Sequence, residues 1–328
     1  MSSKKRAAFY HGLLLVDKPK GLTSHDVVAV VRRLTGQKRV GHTGTLDPMA
    51  TGLMAMLLGE ATRLEPYLVK MDKIYTGSFR LGLVTDTNDV TGRVLKETRD
   101  IPWPDKEQVR AALQIQTGER DQVPPAFSAV KVKGRPAYKA ARAGESLELA
   151  ARRVTAHRLE LGVYEPPEVK FLAEVSSGYY IRSLVRDLGD ELNLGAALSA
   201  LRRERVGTWT LDAAYCLDEL KSWGPGDWTA RLLPPDEALP HWPVVRLGLL
   251  DEKAFRQGRQ LAAPGLEPGQ YKVLSDQGLL IGLGAFTDRG LNPFSQASIG
   301  GESPRGPFLR PLRVFNFGSN AEQPDGKE

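Results

Sequence analysis

The segment Val40-Gly-His-Thr-Gly-Thr-Leu-Asp-Pro-Met-Ala-Thr-Gly52 sets three glycines, three threonines, one histidine and one carboxylate between apolar runs. Two readings compete for it. Asp47 followed by Pro48 has the form of a helix N-cap with proline at the first helical position, and Met49 to Leu58 is then the helix. Alternatively, Gly41, Gly44 and Gly52 let the backbone bend sharply and let a ligand approach it, which makes Asp47 the centre of a site. The run that follows does not choose between them. Leu53 to Leu58 is short and uniformly apolar, so helix and buried strand both fit, although Gly52 weakens a helix begun at Pro48.

Upstream, Gly12 to Val16 reads as a buried strand, closed by the turn-rich Asp17-Lys-Pro-Lys-Gly21. A helix follows: Thr23 or Ser24 caps it, Val27, Val28, Val30, Val31 and Leu34 share one face, and Gly36 ends it. Downstream, Glu60 to Lys70 reads as helix and Lys73 to Leu83 alternates as a strand. Thr85 to Gly92 is a polar turn whose acidic residues serve as turn formers, followed by a short strand from Arg93 to Lys96. Asp105 to Gln116 is a helix, and the prolines from Pro124 onward keep a basic segment extended until about Ala137. Val154 to Val163 and Lys170 to Val175 are strands. A helix then presents Ile181, Leu184, Val185, Leu188 and Leu192 on one face, with Arg182 in its first turn, and a strand passes through Trp209 and Leu211. The Pro- and Trp-rich stretch from Trp223 to Pro243 marks a boundary. Beyond it, Gln270 to Leu274, Leu279 to Gly284 and Leu309 to Phe315 read as strands of a small β-rich domain.

A chain of 328 residues, 41% hydrophobic and 26% charged, is long enough for two domains with a sizeable core. No apolar run approaches bilayer length and none of signal-peptide length follows the basic Met1 to Arg6, so a cytoplasmic location without membrane contact is expected. The single cysteine, Cys216, excludes an internal disulfide and a thiolate zinc cluster, and the five histidines lack metal-ligand spacing. The formal charge of +6 is concentrated at Lys4 to Arg6, Arg32 to Arg39, Lys131 to Arg142, Arg152 to Arg158 and Arg202 to Arg205. Interleaved with Phe127, Tyr138 and Tyr179, these clusters suit a polyanion whose phosphates are neutralised and whose bases are stacked.

Four separated segments carry a resemblance: Val16-Asp-Lys-Pro-Lys-Gly-Leu-Thr-Ser24, Gly41 to Gly52, Lys73-Ile-Tyr75 with Leu81 to Asp89, and Gly178-Tyr-Tyr-Ile-Arg-Ser-Leu184. With Pro124-Pro-Ala-Phe-Ser-Ala-Val-Lys131 they resemble, in residues, order and spacing over about residues 10 to 315, the bacterial TruB family of tRNA pseudouridine-55 synthases. Phe127 departs from the tyrosine usual there, and Tyr179 from the common threonine. The resemblance implies an α+β catalytic domain at 10–241 on a mixed, largely antiparallel sheet flanked by helices. A small β-rich PUA-like domain would occupy 242–316, with a disordered basic stretch at 1–9 and a disordered tail at 317–328. It implies Asp47 as nucleophile, Tyr75 stacked on the target uracil and taking part in proton transfer, and Arg182 paired with the Asp47 carboxylate. His42, Tyr180 and Leu201 would line the pocket of the extruded base, and Lys18 would help to hold the pocket loop. The implied partner is tRNA, through its T stem-loop and, by the C-terminal domain, its acceptor stem. No cofactor, metal or obligatory protein partner is implied, and the protein is expected to be a monomer.

The chemistry accounts for these residue types. Pseudouridine formation detaches uracil from C1′, rotates it and rejoins it through C5, which consumes no redox equivalent or nucleotide cofactor. It needs a carboxylate that stays ionised in a closed pocket and can act covalently. Burial raises the pKa of such a group, so an adjacent guanidinium is wanted to favour the charged form. The base must also leave its stack, and a flipped base is held by aromatic faces and edge contacts. Two rivals stand beside this reading: a guide-dependent synthase working with protein partners, and a tRNA-binding folding chaperone with secondary isomerase activity.

Overall fold

In order, the chain lays down β1 (Gly12–Lys18), α1 (Ser24–Thr35), β2 (Val40–His42), β3 (Thr51–Leu58), α2 (Glu65–Leu68), β4 (Lys73–Leu81), β5 (Leu83–Thr85), β6 (Val94–Glu97), α3 (Lys106–Ile115) and β7 (Gly118–Gln122). There follow β8 (Lys131–Val132), β9 (Arg135–Pro136), α4 (Ala137–Arg142), β10 (Arg152–Glu165), β11 (Glu168–Val175), α5 (Ile181–Glu191), β12 (Ala196–Val206), β13 (Trp209–Thr210) and β14 (Tyr215–Cys216). This computed structural model describes residues 10–99, 101–132, 134–145, 147–263, 265–287 and 308–316. The expected disordered ends at 1–9 and 317–328, with the Lys4 to Arg6 cluster, lie outside the described residues.

The large sheet has ten strands in the order β14-β1-β3-β12-β4-β11-β10-β7, with β13 attached to β12 and β2 to β3. The pairs β1·β14 and β3·β12 are parallel and the others antiparallel, so the sheet is mixed. Strand β3 answers the ambiguity at Leu53 to Leu58. Met54, Met56 and Leu58 pack with Leu14 and Val16 in one cluster, while Leu53, Ala55 and Leu57 pack with Leu13 and Leu15 in another. A strand covered on both faces has no polar alternation, which is why its sequence resembled a buried helix.

Helix α1 forms as its sequence predicts. Thr23 is the N-cap in a reciprocal capping box with Asp26, and Gly36 closes the helix at φ 67°. Its Val27, Val28 and Val31 join Val109 and Leu113 of α3 and Ile181, Leu184, Val185 and Leu188 of α5 against one face of the sheet. The expected helix over Glu60 to Lys70 forms, but as a 3₁₀ helix at Gly59–Leu64 that runs directly into a short α-helix at Glu65–Leu68. The expected strand through Trp209 and Leu211 is only two residues long and runs into a 3₁₀ turn at Leu211–Ala213.

Strand β12, to which the sequence reading assigned no element, lies at the centre of the sheet between β3 and β4. Its run of Arg202, Arg203, Glu204 and Arg205 hides it from any hydrophobic pattern. At the parallel joint, Gly52 has φ 100° and stands opposite Arg203; a Cβ there would lie 2.4 Å from the Arg203 carbonyl oxygen. Gly52 therefore serves strand packing. Gly41 and Gly44 have ordinary φ, so neither supplies the sharp bend expected of it.

A separate five-stranded sheet closes the described chain: Val244–Leu247, Gly269–Ser275, Leu280–Thr287, Phe308–Val314 and Leu261–Ala262, in that spatial order. Phe255, Val273, Ile281 and Leu309 form a core of their own beneath it. Leu274, Leu280, Leu283 and Phe315 instead share a cluster with Leu13, Leu15, Leu53 and Leu57 of the large sheet. The fold is thus α+β, a large mixed sheet with helices on one face and a small β-rich sheet after it. Among the described residues no helix is long and apolar enough to cross a membrane.

Candidate active site

The turn that carries Asp47 is held from outside. The Pro48 carbonyl accepts the Gly21 amide at 2.7 Å and the Lys18 ammonium at 3.5 Å. Ser24, displaced from the cap by Thr23, turns its hydroxyl onto the loop: Oγ donates to the Leu46 carbonyl at 3.0 Å and accepts the Leu46 amide at 2.7 Å. Arg203 donates to the Gly44 carbonyl at 3.1 Å, and the Thr43 amide donates to the Ala55 carbonyl at 3.1 Å. With Pro48 held in this way, the chain makes one turn, Ala50 amide to Asp47 carbonyl, and enters β3. The helix-cap reading of Asp47-Pro48 is therefore overturned.

Arg182 reaches the same turn from α5. The Gln122 side chain clamps the start of that helix, accepting the Tyr180 amide at 2.8 Å and donating to the Tyr180 carbonyl at 3.1 Å. Ser183 adds a bond to the Val123 carbonyl at 2.8 Å. The Arg182 side chain, 7% exposed, sets Nε 2.8 Å from Asp47 Oδ2. Its Nη1 donates to the Thr87 carbonyl at 3.0 Å and lies 3.8 Å from Asp89 Oδ2, while Nη2 donates to the Phe127 carbonyl at 2.9 Å. One guanidinium thus fastens three loops.

Asp89 is a residue whose place in the site the sequence reading missed. It is buried, and its Oδ1 accepts the Thr91 amide at 2.9 Å and the Thr87 hydroxyl at 3.0 Å, so it does form a turn. Its other oxygen faces the guanidinium. The available signal was its position at the end of Leu81 to Asp89, one of the segments that carried the family resemblance.

The electrostatics follow from this arrangement. Burial in the pocket raises the Asp47 pKa above the ordinary aspartate value; Arg182 opposes the rise, Asp89 adds to it and Lys18 opposes it. The guanidinium offsets desolvation without cancelling it. Lys18 is fully buried and lies under the loop rather than on the pocket wall, donating also to the Pro19 carbonyl at 3.0 Å. Burial lowers its pKa to about 8, with Asp47 pulling it up and Arg203 further down.

A cleft of about 870 Å³ opens over the turn, and Asp47, His42, Tyr75, Tyr180, Arg182 and Leu201 all line it. Tyr75 reaches it from β4, opposite Arg203 in register, and Leu201 from β12. His42 stands at the end of β2, with Nδ1 accepting the Gly44 amide at 3.2 Å. Burial raises the Tyr180 phenol pKa. Arg142 lies on the wall above the Tyr138 ring, 5.6 Å from its centroid. By contrast, Arg202 and Arg205 of the basic cluster at 202–205 serve the fold: Arg202 pairs with Asp17 at 2.8 Å and Arg205 with Glu174, while Arg203 is buried against the Asp47 turn. Among the described residues no group of three or more His, Cys, Asp or Glu side chains could hold a metal ion.

A family model described as TruB family pseudouridylate synthase (N terminal domain) matches residues 32–181. The chain is 43% identical over 281 residues to a protein of Thermobifida fusca named tRNA pseudouridine synthase B, covering 83% of this chain and 93% of that protein. It is 40% identical over 284 residues to the protein of the same name from Pseudomonas aeruginosa, covering 85% and 93%. Among solved structures, a chain of an H/ACA RNP bound to a substrate RNA containing 2′-deoxyuridine has the same fold at a TM-score of 0.66 and 22% identity, over 96% of this chain and 92% of that one. A chain of the archaeal box H/ACA sRNP Nop10-Cbf5 complex aligns at a TM-score of 0.65 and 22% identity, over 93% and 86%.

Proposed function

The chain belongs to the TruB family of pseudouridylate synthases, and from that premise we propose that it isomerises uridine 55 in the T loop of tRNA, with Asp47 as the nucleophile. The observation that supports this reading is the convergence of one carboxylate, its arginine and two tyrosines on a single cleft from three separate parts of the chain.

The reaction breaks the N1–C1′ bond of the target uridine and forms a C5–C1′ bond. The proton on C5 is removed and N1 gains one, so the product is an isomer. Attack at C6, attack at C1′ and elimination through a glycal all require Asp47 as the anion. Arg182 favours that anion through its 2.8 Å contact. Tyr75 and Tyr180 line the cleft and would offer faces to a uracil taken out of its stack, Tyr75 taking part in proton transfer, with Leu201 and His42 completing the pocket. Lys18 holds the loop through Pro48. The 10–241 part does the chemistry, and the 242–316 part grips the tRNA beyond the T loop, recognition resting on loop shape and phosphates.

Unmodified tRNA transcripts incubated with the purified protein and no additive should acquire one pseudouridine in the T loop, mapped by carbodiimide treatment and primer extension. Absence of that product overturns the proposal.

A further inference from the structure

Among the described residues, Arg203 is the largest side chain that is essentially fully buried, at 1% exposure. Its polar contacts are carbonyls: Nε donates to Leu53 at 2.6 Å and Nη2 to Gly44 at 3.1 Å, and among the described residues no carboxylate pairs with it. Burying a cation without a counter-ion is costly, and a strand could fill this place with an aliphatic side chain. Both carbonyls belong to the surroundings of the Asp47 turn, Leu53 just after it and Gly44 just before it. The Gly44 residue also connects to His42, whose Nδ1 accepts its amide at 3.2 Å. An Nδ1 that accepts a hydrogen bond carries no proton, so the neutral ring bears its proton on Nε2. That nitrogen has no protein partner among the described residues, and the ring lines the cleft.

We infer that Arg203 is a positioning residue: it pins the Gly44 carbonyl from beneath and holds His42 as the Nε2–H tautomer, a hydrogen-bond donor facing an acceptor oxygen of the bound RNA. This rests on the reading of the cleft as an RNA-modifying site. The groups whose charge bears on His42 are Arg203 from β12 and His25 from α1; both disfavour a second proton, as does burial of the ring. Protonation of Nδ1 would turn an acceptor into a donor facing the Gly44 amide and would release the turn that carries Asp47. The fixed charge of Arg203 guards against this because arginine does not lose its own proton.

Histidine ¹⁵N spectra of the intact protein test the inference without any substrate. His42 should be singly protonated, on Nε2, at neutral pH, and should titrate below the ordinary histidine range. In R203M its midpoint should move up by roughly half a pH unit or more. Turnover of tRNA by that variant should fall about tenfold or more, with KM changed by less than about threefold, as expected when a group acts on the reacting geometry rather than on binding. R202Q, which removes the neighbouring arginine on the opposite sheet face, should leave the His42 titration where it is. A wild-type His42 protonated on Nδ1 or doubly protonated at neutral pH overturns the inference, as does a folded R203M with unchanged titration and turnover. If R203M does not fold, the wild-type tautomer and midpoint decide the matter. Failure to form pseudouridine with His42 in the expected state would count against the function and not against the placement of Arg203.

Discussion

Arg182 meets its partners with three nitrogens pointing in three directions, a geometry that lysine cannot reproduce. R182K should therefore keep the charge but lose turnover by about a hundredfold or more, while tRNA affinity stays within a few-fold, as measured by single-turnover kinetics and filter binding. D47N should abolish turnover with binding likewise retained; residual turnover near the wild-type rate would remove Asp47 from its role. The pH dependence carries a sign for each neighbour. Because the folded-state Asp47 pKa is raised and the proposed reaction uses the anion, turnover should fall on acidification at a pH above the ordinary aspartate range. D89N removes a neighbour that raises this pKa and should move the acid limb to lower pH. R182M removes the largest opposing charge and should move it to higher pH. Limbs that shift together in both variants would show that they report something other than Asp47.

Among the elements, the β3·β12 joint is the least forgiving. G52A would force a Cβ onto the Arg203 backbone at a positive φ, and should cost about 2–4 kcal/mol in urea denaturation. Gln122 gives a second test: truncating it to alanine leaves the Tyr180 amide without its partner, while the carbonyl keeps the Leu184 amide, and should cost about 1–3 kcal/mol. These elements also mark what could be read beforehand. Helix α1 was legible in full because cap, periodic valines and terminal glycine all agree. Strand β3 was ambiguous because it is buried on two faces, and β12 was invisible because four charged residues occupy its C-terminal half. Asp47, Tyr75, Tyr180, Arg182 and His42 were found through spaced motifs rather than periodicity, which is why the strand bearing Leu201 could be missed while Leu201 itself was placed on the pocket. Asp89 escaped because a turn-forming aspartate and one that faces an arginine have the same local sequence.

For the molecule as a whole, the second cluster joins leucines of β1 and β3 to Leu274, Leu280, Leu283 and Phe315 of the small sheet. Further ties cross the same junction: Arg63 donates to the Val314 carbonyl at 2.7 Å, and Trp242 meets Tyr67 edge-on with ring centroids 5.2 Å apart. Calorimetry should accordingly show one cooperative transition, and a chain ending at residue 241 should unfold at lower temperature because it exposes the apolar side of β1 and β3. With a formal charge of +6, tRNA affinity should fall linearly in log–log form with added salt, measured by filter binding from low to physiological ionic strength.

The Asp47 turn is suspended from Lys18, Gly21, Ser24, Arg182 and Arg203, none of which belongs to it. Its conformational entropy is therefore surrendered when the protein folds, before any RNA arrives. The consequence is thermal. Activity measured against temperature should persist up to the onset of global melting, since the turn has no softer, independent way to loosen. The heat-capacity change on tRNA binding should then reflect the unstacking of the RNA rather than an ordering of the protein.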